Sequence, residues 1–157
     1  MYKDALRAAW AEINITNLDF NIKQIKKKVG SGVKITGVVK ADAYGHGSVR
    51  VATVLRANGI ESFAVATLSE AVRLRKAGFL LEEIMVLSPI PEPYIDTIIE
   101  HRLSPVVCDY KNAEAISKAA AAAGIIIKGY IAVDTGMGRI GYSDDVTSVE
   151  IGRASCR

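Results

Sequence analysis

Cysteine and histidine are scarce in this sequence. The 157 residues include two cysteines, Cys108 and Cys156, and two histidines, His46 and His101. Two cysteines are too few for a disulfide framework, so we expect the reducing environment of the cytoplasm. Neither histidine has a second histidine at ligand spacing, so we expect no metal site.

Excess charge and long hydrophobic runs are also missing. The formal net charge is only +3. The densest basic run, residues 26–28, ends a helical pattern, and cations at the end of a helix interact favourably with its dipole. Without more basic charge and interleaved aromatic side chains, we expect no nucleic-acid partner. The longest apolar run, residues 119–127, is far below the ~20 residues that span a bilayer. Charged residues interrupt the first fifteen positions, so we expect neither a signal peptide nor membrane association.

Short apolar strands alternate with amphipathic helices along most of the chain. The pattern predicts strands at 35–39, 63–66, 84–87, 105–108 and 127–133, and helices at 49–58, 69–77, 92–100 and 112–123. The strand ends recur at the spacing of βα units, so we expect parallel strands joined by right-handed crossovers. Either a doubly wound sheet or a (β/α)₈ barrel satisfies this pattern, and periodicity alone does not choose between them.

One lysine lies where an apolar run stops and a glycine-containing loop begins. Residues 38–47 read Val-Val-Lys-Ala-Asp-Ala-Tyr-Gly-His-Gly, which places Lys40 at the end of the first predicted strand. The carboxyl ends of such strands are where α/β folds bind ligands and perform chemistry. A lysine that is partly desolvated there has a lowered pKa and a nucleophilic amine. Gly45 and Gly47 permit a sharp turn, and we expect Ser48 to cap the next helix.

Three segments of the sequence carry a resemblance to a known family. They are residues 7–15 (Arg-Ala-Ala-Trp-Ala-Glu-Ile-Asn-Ile), residues 38–47, and residues 133–141 (Val-Asp-Thr-Gly-Met-Gly-Arg-Ile-Gly). In order and spacing they resemble the opening segment, the cofactor-attachment motif and the arginine loop of the alanine racemase family. The resemblance implies that Lys40 forms a Schiff base with pyridoxal 5'-phosphate (PLP) and that Tyr44 holds the cofactor phosphate.

Further roles also follow from the resemblance. Lys40 is implied to be the base for the D-enantiomer, and Arg139 to pair with the phenolic oxygen of the cofactor and with a substrate carboxylate. In many family members a modified lysine orients the arginine, and this chain has Ala132 at that position. The resemblance therefore gives less basis for the orientation of Arg139. The second base of the family is a tyrosine of the partner subunit, and no other tyrosine of this sequence lies in matching sequence. We interpret His46 as structural, positioning the loop.

The resemblance favours a (β/α)₈ barrel of the alanine racemase type, with about five βα units in this chain. It divides the sequence into an N-terminal strand segment at 1–16 and a partial PLP-binding barrel at 17–151. Residues 152–157 have no apolar period, and we interpret them as a non-native or frameshifted tail.

The activity implied by the resemblance is PLP-dependent interconversion of L-alanine and D-alanine for peptidoglycan synthesis, by a cytoplasmic homodimer. As a fragment without the second base, the chain is expected to be inactive alone. Two alternatives remain open: a PLP-dependent racemase of another small amino acid, and a non-catalytic PLP-binding module.

Overall fold

The structure, a computed structural model, describes residues 10–143, so residues 1–9 and the predicted tail at 152–157 lie outside the described part. The helices are α1 (Ile15–Val29), α2 (Lys40–Tyr44), α3 (Ser48–Ala57), α4 (Leu68–Lys76), α5 (Ile95–Glu100, preceded by a 3₁₀ turn at Glu92–Tyr94) and α6 (Tyr110–Ala122). The strands are β1 (Thr36–Val38), β2 (Ser62–Val65), β3 (Glu83–Val86), β4 (Ser104–Val107), β5 (Tyr130–Ile131), β6 (Val133–Asp134) and β7 (Tyr142–Ser143).

The order of the strands decides between the two predicted architectures. The five strands of the main sheet lie in the order β1-β2-β3-β4-β5, and each pair of neighbours is parallel. A doubly wound sheet reverses its strand order at a switch point, whereas the wall of a barrel adds each strand beside the previous one. The chain is therefore part of a (β/α) barrel, and the predicted barrel is confirmed.

The predicted strand at 127–133 is wrong in detail. Only residues 130–131 pair with β4, and the last contact is made by the backbone N–H of Ala132, which donates to the carbonyl of Val107 at 2.9 Å. The chain then leaves the sheet, and Val133 and Asp134 pair instead with β7. The apolar pattern continues through this change of partner, so it does not reveal the break.

Alternate side chains of the strands face the helices and form the core. Phe63 and Val65 of β2, and Ile84 and Val86 of β3, are completely buried. Phe63 packs edge-on against Phe79, with 5.4 Å between the ring centroids. Burying each such side chain stabilises the fold by roughly 1.5–3 kcal/mol. This apolar layer therefore holds the strands, and with them the loops at their carboxyl ends, in place.

Helix α1 begins near the end of the predicted N-terminal segment, and residues 10–14 before it are neither helix nor strand. The helix begins at Ile15, so the last two residues of the strand segment predicted at 1–16 are helical. The Asn14 side chain caps the helix by accepting from the N–H of Asn17 at 3.0 Å. The lysines at 26–28 lie in its last turn, as the sequence indicates. Within residues 10–143, no helix has the length and apolar character needed to cross a membrane.

Candidate active site at the carboxyl ends of the strands

Lys40 lies directly beyond the carboxyl end of β1, as the sequence predicts. The N–H of Val39, the residue before it, donates to the carbonyl of Ala64 at 2.9 Å and so continues the pairing of β1 with β2. The Lys40 side chain is half-buried. Among the described residues its amine has no hydrogen-bond or ion-pair partner. The amine is therefore available to a ligand.

The four residues that follow Lys40 form a left-handed turn. Their φ angles are +50°, +53°, +54° and +55° from Ala41 to Tyr44, and none of the four is glycine. The left-handed conformation costs an L-residue roughly 1–2 kcal/mol, so the turn costs about 4–8 kcal/mol in total. Such a backbone persists only where the surrounding structure holds it in place, which is typical of functional sites.

Backbone hydrogen bonds close the turn on itself. The N–H of Ala43 donates to the carbonyl of Val39 at 2.9 Å, and the N–H of Gly47 donates to the carbonyl of Asp42 at 2.8 Å. The Nδ1 atom of His46 lies 3.0 Å from the carbonyl oxygen of Ala43, which requires a proton on Nδ1. His46 thus positions the loop, as we interpreted it from the sequence.

Asp42 joins the turn to the beginning of helix α3. Its Oδ1 atom accepts from the backbone N–H of Ser48 at 2.9 Å and from the Ser48 hydroxyl at 3.0 Å. These bonds, the backbone one first, lower the pKa of Asp42 below its ordinary value. The expectation that Ser48 caps this helix is wrong by one residue: the cap is Gly47, and the capping oxygen comes from Asp42.

Glu70, at the beginning of helix α4, joins the first two strand-end loops. Its Oε1 atom accepts from the backbone N–H of Ala41, next to Lys40, at 2.6 Å. Its Oε2 atom accepts from the N–H groups of Ala66 and Thr67 at 2.8 and 3.1 Å. Thr67 and Glu70 form a capping box, which the Thr-x-x-Glu spacing in the sequence could have indicated. Nothing in the sequence indicates the bond between Glu70 and the N–H of Ala41, which are 29 residues apart.

Tyr44 is the last residue of the left-handed turn and shares its loop with Lys40. Its side chain is 63 % exposed, and its hydroxyl has no polar partner within residues 10–143. A phenol that is held on a fixed backbone and has no internal partner can donate a hydrogen bond to an oxyanion of a ligand.

Arg139 lies in a loop that the preceding Asp134 organises. The Oδ1 atom of Asp134 accepts from the N–H groups of Gly138 at 3.0 Å and Gly136 at 2.9 Å, and these bonds lower the pKa of Asp134. At Gly141 a methyl group would lie 3.0 Å from the carbonyl oxygen of Ala132, and its φ is +115°. The loop therefore requires glycine at this position.

Lys40 and Arg139 both lie beyond the carboxyl ends of strands, but on different loops. β1 and β5 are the two edges of the five-stranded sheet, so the two residues follow opposite edges. The Arg139 side chain is exposed and, like Lys40, has no polar partner in the described part of the chain. The structure brings Lys40 and Tyr44 together on one loop, and Arg139 lies on a separate loop between β6 and β7.

The three side chains form a donor set that fits PLP. A nucleophilic amine suits the aldehyde of the cofactor, a phenol suits an oxygen of its phosphate, and a planar guanidinium suits its phenolic oxygen. All three lack internal partners among the described residues, so none would have to exchange a protein contact for the ligand. Within those residues no three His, Cys, Asp or Glu side chains are grouped as a metal site requires.

Comparisons with known proteins agree on one family. The family model described as "Alanine racemase, N-terminal domain" matches residues 13–154. A curated alanine racemase of Clostridium kluyveri is 49% identical over 150 residues, which are 95% of this chain and 38% of that protein. The solved alanine racemase of Clostridium difficile 630 superposes with a TM-score of 0.91 at 34% identity, over 97% of this chain and 40% of that one.

A solved histidine racemase of Leuconostoc mesenteroides is also similar. It has a TM-score of 0.81 and 28% identity, and it covers 99% of this chain and 42% of its own length. The chain thus spans about two fifths of the length of the relatives that it matches.

Proposed function

The chain belongs to the alanine racemase family, through the N-terminal domain of that family, and we propose that it provides the cofactor-attachment part of an alanine racemase. The reaction is the PLP-dependent interconversion of L-alanine and D-alanine. The observation that carries the proposal is Lys40, a half-buried amine without an internal partner among the described residues, on a rigid left-handed turn at a strand end.

We assign each candidate residue one role. PLP, when bound, draws electrons from the α-carbon of the amino acid and so makes its α-proton labile. Lys40 attaches the cofactor and, once substrate has displaced it, holds or returns the α-proton at Nζ. Tyr44 donates a hydrogen bond from its hydroxyl to the phosphate. Arg139 orients the phenolic oxygen of the cofactor and the carboxylate of the substrate.

A second base must serve the opposite face of the substrate, because racemisation exchanges a proton on both faces. By resemblance to the family this base is a tyrosine of a partner subunit, so we propose a homodimer. The D-alanine formed would supply peptidoglycan synthesis, and the low cysteine content favours a cytoplasmic enzyme. The proposed reaction requires neither a nucleic acid nor a membrane.

A racemase of another amino acid is the second candidate, and the likeness to a histidine racemase favours it. The two candidates differ in the side chain that the site accepts, not in the roles of Lys40 or Tyr44. A chimera that joins residues 13–143 of this chain to the remainder of the Clostridium kluyveri relative would separate them. A preference for alanine over serine, lysine or histidine as strong as that of the Clostridium kluyveri relative itself supports the alanine racemase, and a weaker preference supports the second candidate.

The attachment role is tested directly on the chain. PLP is added, the adduct is reduced with borohydride, and the labelled peptide is mapped by mass spectrometry. We expect most of the label on Lys40, and its loss in Lys40→Ala. The matched control is Lys34→Ala, because Lys34 is an exposed lysine before the same strand. Label spread evenly over exposed lysines would contradict both the attachment role and the non-catalytic PLP-binding alternative.

A further inference from the structure

We propose that Glu70 is the positioning residue for Lys40. The proposal rests on the proposed function, because it takes Lys40 as the group that reacts with PLP. Glu70 itself would touch neither cofactor nor substrate. It would act through the backbone of Ala41, to which it is bonded at 2.6 Å, and so fix the direction in which Lys40 leaves the strand.

The left-handed turn needs a partner at its first residue. The N–H groups in the first turn of any helix have no carbonyl partner within the helix, so they need an acceptor from elsewhere. Ala41 is the first residue of the turn with positive φ, and its N–H is satisfied by Glu70. A carboxylate is the strongest acceptor available for a backbone N–H, so the bond helps to offset the cost of the turn.

Helix α4 supplies the rigid support for this bond. The second oxygen of Glu70 is fixed by the N–H groups of Ala66 and Thr67 at the end of β2. One helical turn further on, Arg73 reaches Asp42 of the same left-handed turn, with 3.2 Å between Nη1 and Oδ1. Two side chains of one helix thus contact two successive residues after Lys40, Glu70 through a hydrogen bond to the backbone and Arg73 through an exposed ion pair.

The arrangement requires both oxygens of Glu70 to be acceptors. A glutamine has one acceptor oxygen and one NH₂ group, and the latter would face an N–H donor. Glu70→Gln keeps the size of the side chain but loses either the bond to Ala41 or the bonds at the end of β2. Thr67→Ala is the matched variant, because it removes the threonine side of the capping box and the contact with the Ser69 hydroxyl but leaves the bond of Glu70 to Ala41.

Two readouts on the chain test the role. The first is amide hydrogen exchange at Ala41, measured by NMR, which does not depend on PLP. The second is the rate constant for adduct formation at Lys40 under saturating PLP, together with the PLP concentration that gives half of that rate. Glu114→Gln, at an exposed Glu–Lys pair on α6, controls for the loss of one negative charge.

We expect Glu70→Gln to speed exchange at Ala41, and to lower the saturated rate constant, by about tenfold or more each. The half-saturating PLP concentration should stay within about threefold, because Glu70 makes no contact with the cofactor. Thr67→Ala and Glu114→Gln should each change exchange and rate by less than about twofold, because the bond to Ala41 remains.

The outcomes separate this role from the proposed function. If Thr67→Ala lowers the rate as much as Glu70→Gln, Glu70 only stabilises the helix, and the positioning role is overturned. Unchanged exchange at Ala41 in Glu70→Gln overturns it as well, even where the rate falls. If the unaltered chain forms no adduct at Lys40, the proposed function fails, and the positioning role fails with it.

Discussion

Arg73 of helix α4 forms an ion pair with Asp42 of the left-handed turn, with Nη1 of the arginine 3.2 Å from Oδ1 of the aspartate. The same Oδ1 atom accepts both hydrogen bonds from Ser48. One carboxylate oxygen therefore links the beginning of α3, the left-handed turn and the middle of α4. The two kinds of contact differ in strength, because the pair with Arg73 is exposed whereas the bonds to Ser48 cap a helix.

This difference predicts unequal effects of two truncations. Arg73→Ala should change the free energy of unfolding by at most about 1 kcal/mol, because exposed ion pairs contribute little. Asp42→Ala should cost about 1–2 kcal/mol, because it removes the cap of α3. Urea unfolding followed by circular dichroism measures both. Equal losses would contradict the assignment of capping to Asp42.

Stability should decline in acid, partly through Asp42. Its pKa is lowered in the folded state, chiefly by the backbone N–H of Ser48, from an ordinary value of 3.8. A lowered folded pKa means that the stabilisation is present above about pH 4 and is lost as the pH falls through the folded pKa. The unfolding free energy of Asp42→Asn, measured from pH 6 to pH 2.5, should therefore fall less steeply than that of the unaltered chain.

The control for this pH experiment is Asp96→Asn, at an exposed position of α5. It removes one acidic charge without removing a helix cap. If Asp96→Asn reduces the fall of the unfolding free energy between pH 6 and pH 2.5 as much as Asp42→Asn does, the effect arises from net charge. The role assigned to the bonds between Asp42 and Ser48 is then wrong.

Arg139→Lys should impair catalysis more than folding. Lysine keeps the positive charge but loses the planar fork that pairs with two oxygens at once. In the chimera with the Clostridium kluyveri relative, we expect turnover to fall by about tenfold or more, with the thermal unfolding midpoint unchanged. Arg50→Lys, at an exposed arginine of α3, is the control. Unchanged turnover in Arg139→Lys would remove this residue from the site.

Ala132→Lys should be tolerated in the same chimera. Ala132 directly follows β5, at the point where the chain leaves the sheet, and is only half-buried, so a longer side chain has room to extend. A lysine there would occupy the position that is modified in many family members. We expect folding within about 1 kcal/mol of the unaltered chimera, because surface substitutions change stability little. Loss of folding would contradict the open surroundings of this position.

The chain alone should self-associate and should not racemise alanine. In the described sheet, β1 and β5 each pair on one side only, and Ile131 and Val133 near the β5 edge are about half exposed. Such edges and apolar patches promote pairing between chains. Ile131→Lys should shift the mass measured by light scattering toward the monomer. A monomer that interconverts the enantiomers would contradict the need for a second base from a partner.

The sequence predicts the strands and helices well where hydrophobic periodicity is set by burial against a neighbouring layer. It fails at residues 41–44, because alanine, aspartate and tyrosine carry no local signal for positive φ. Local backbone bonds and tertiary bonds, such as that of Glu70 to Ala41, together hold that conformation. It fails again near Ala132, where the pairing partner changes although the apolar pattern does not. The position of Lys40 is predictable because a strand end is marked by an apolar run that stops before a glycine-containing loop.

The sequential order of the strands has a consequence for how the protein is made. In the five-stranded sheet each strand after β1 pairs with the strand that precedes it in the chain, as in Thr36 with Ser62 and Ser62 with Glu83. A ribosome that adds about 5–20 residues per second releases one such unit every few seconds. Each new unit can therefore dock on the exposed edge of the sheet already formed, without waiting for a distant segment. The Lys40 turn depends only on the first two units and on α4, so the attachment site can be complete while synthesis of the later strands is still in progress.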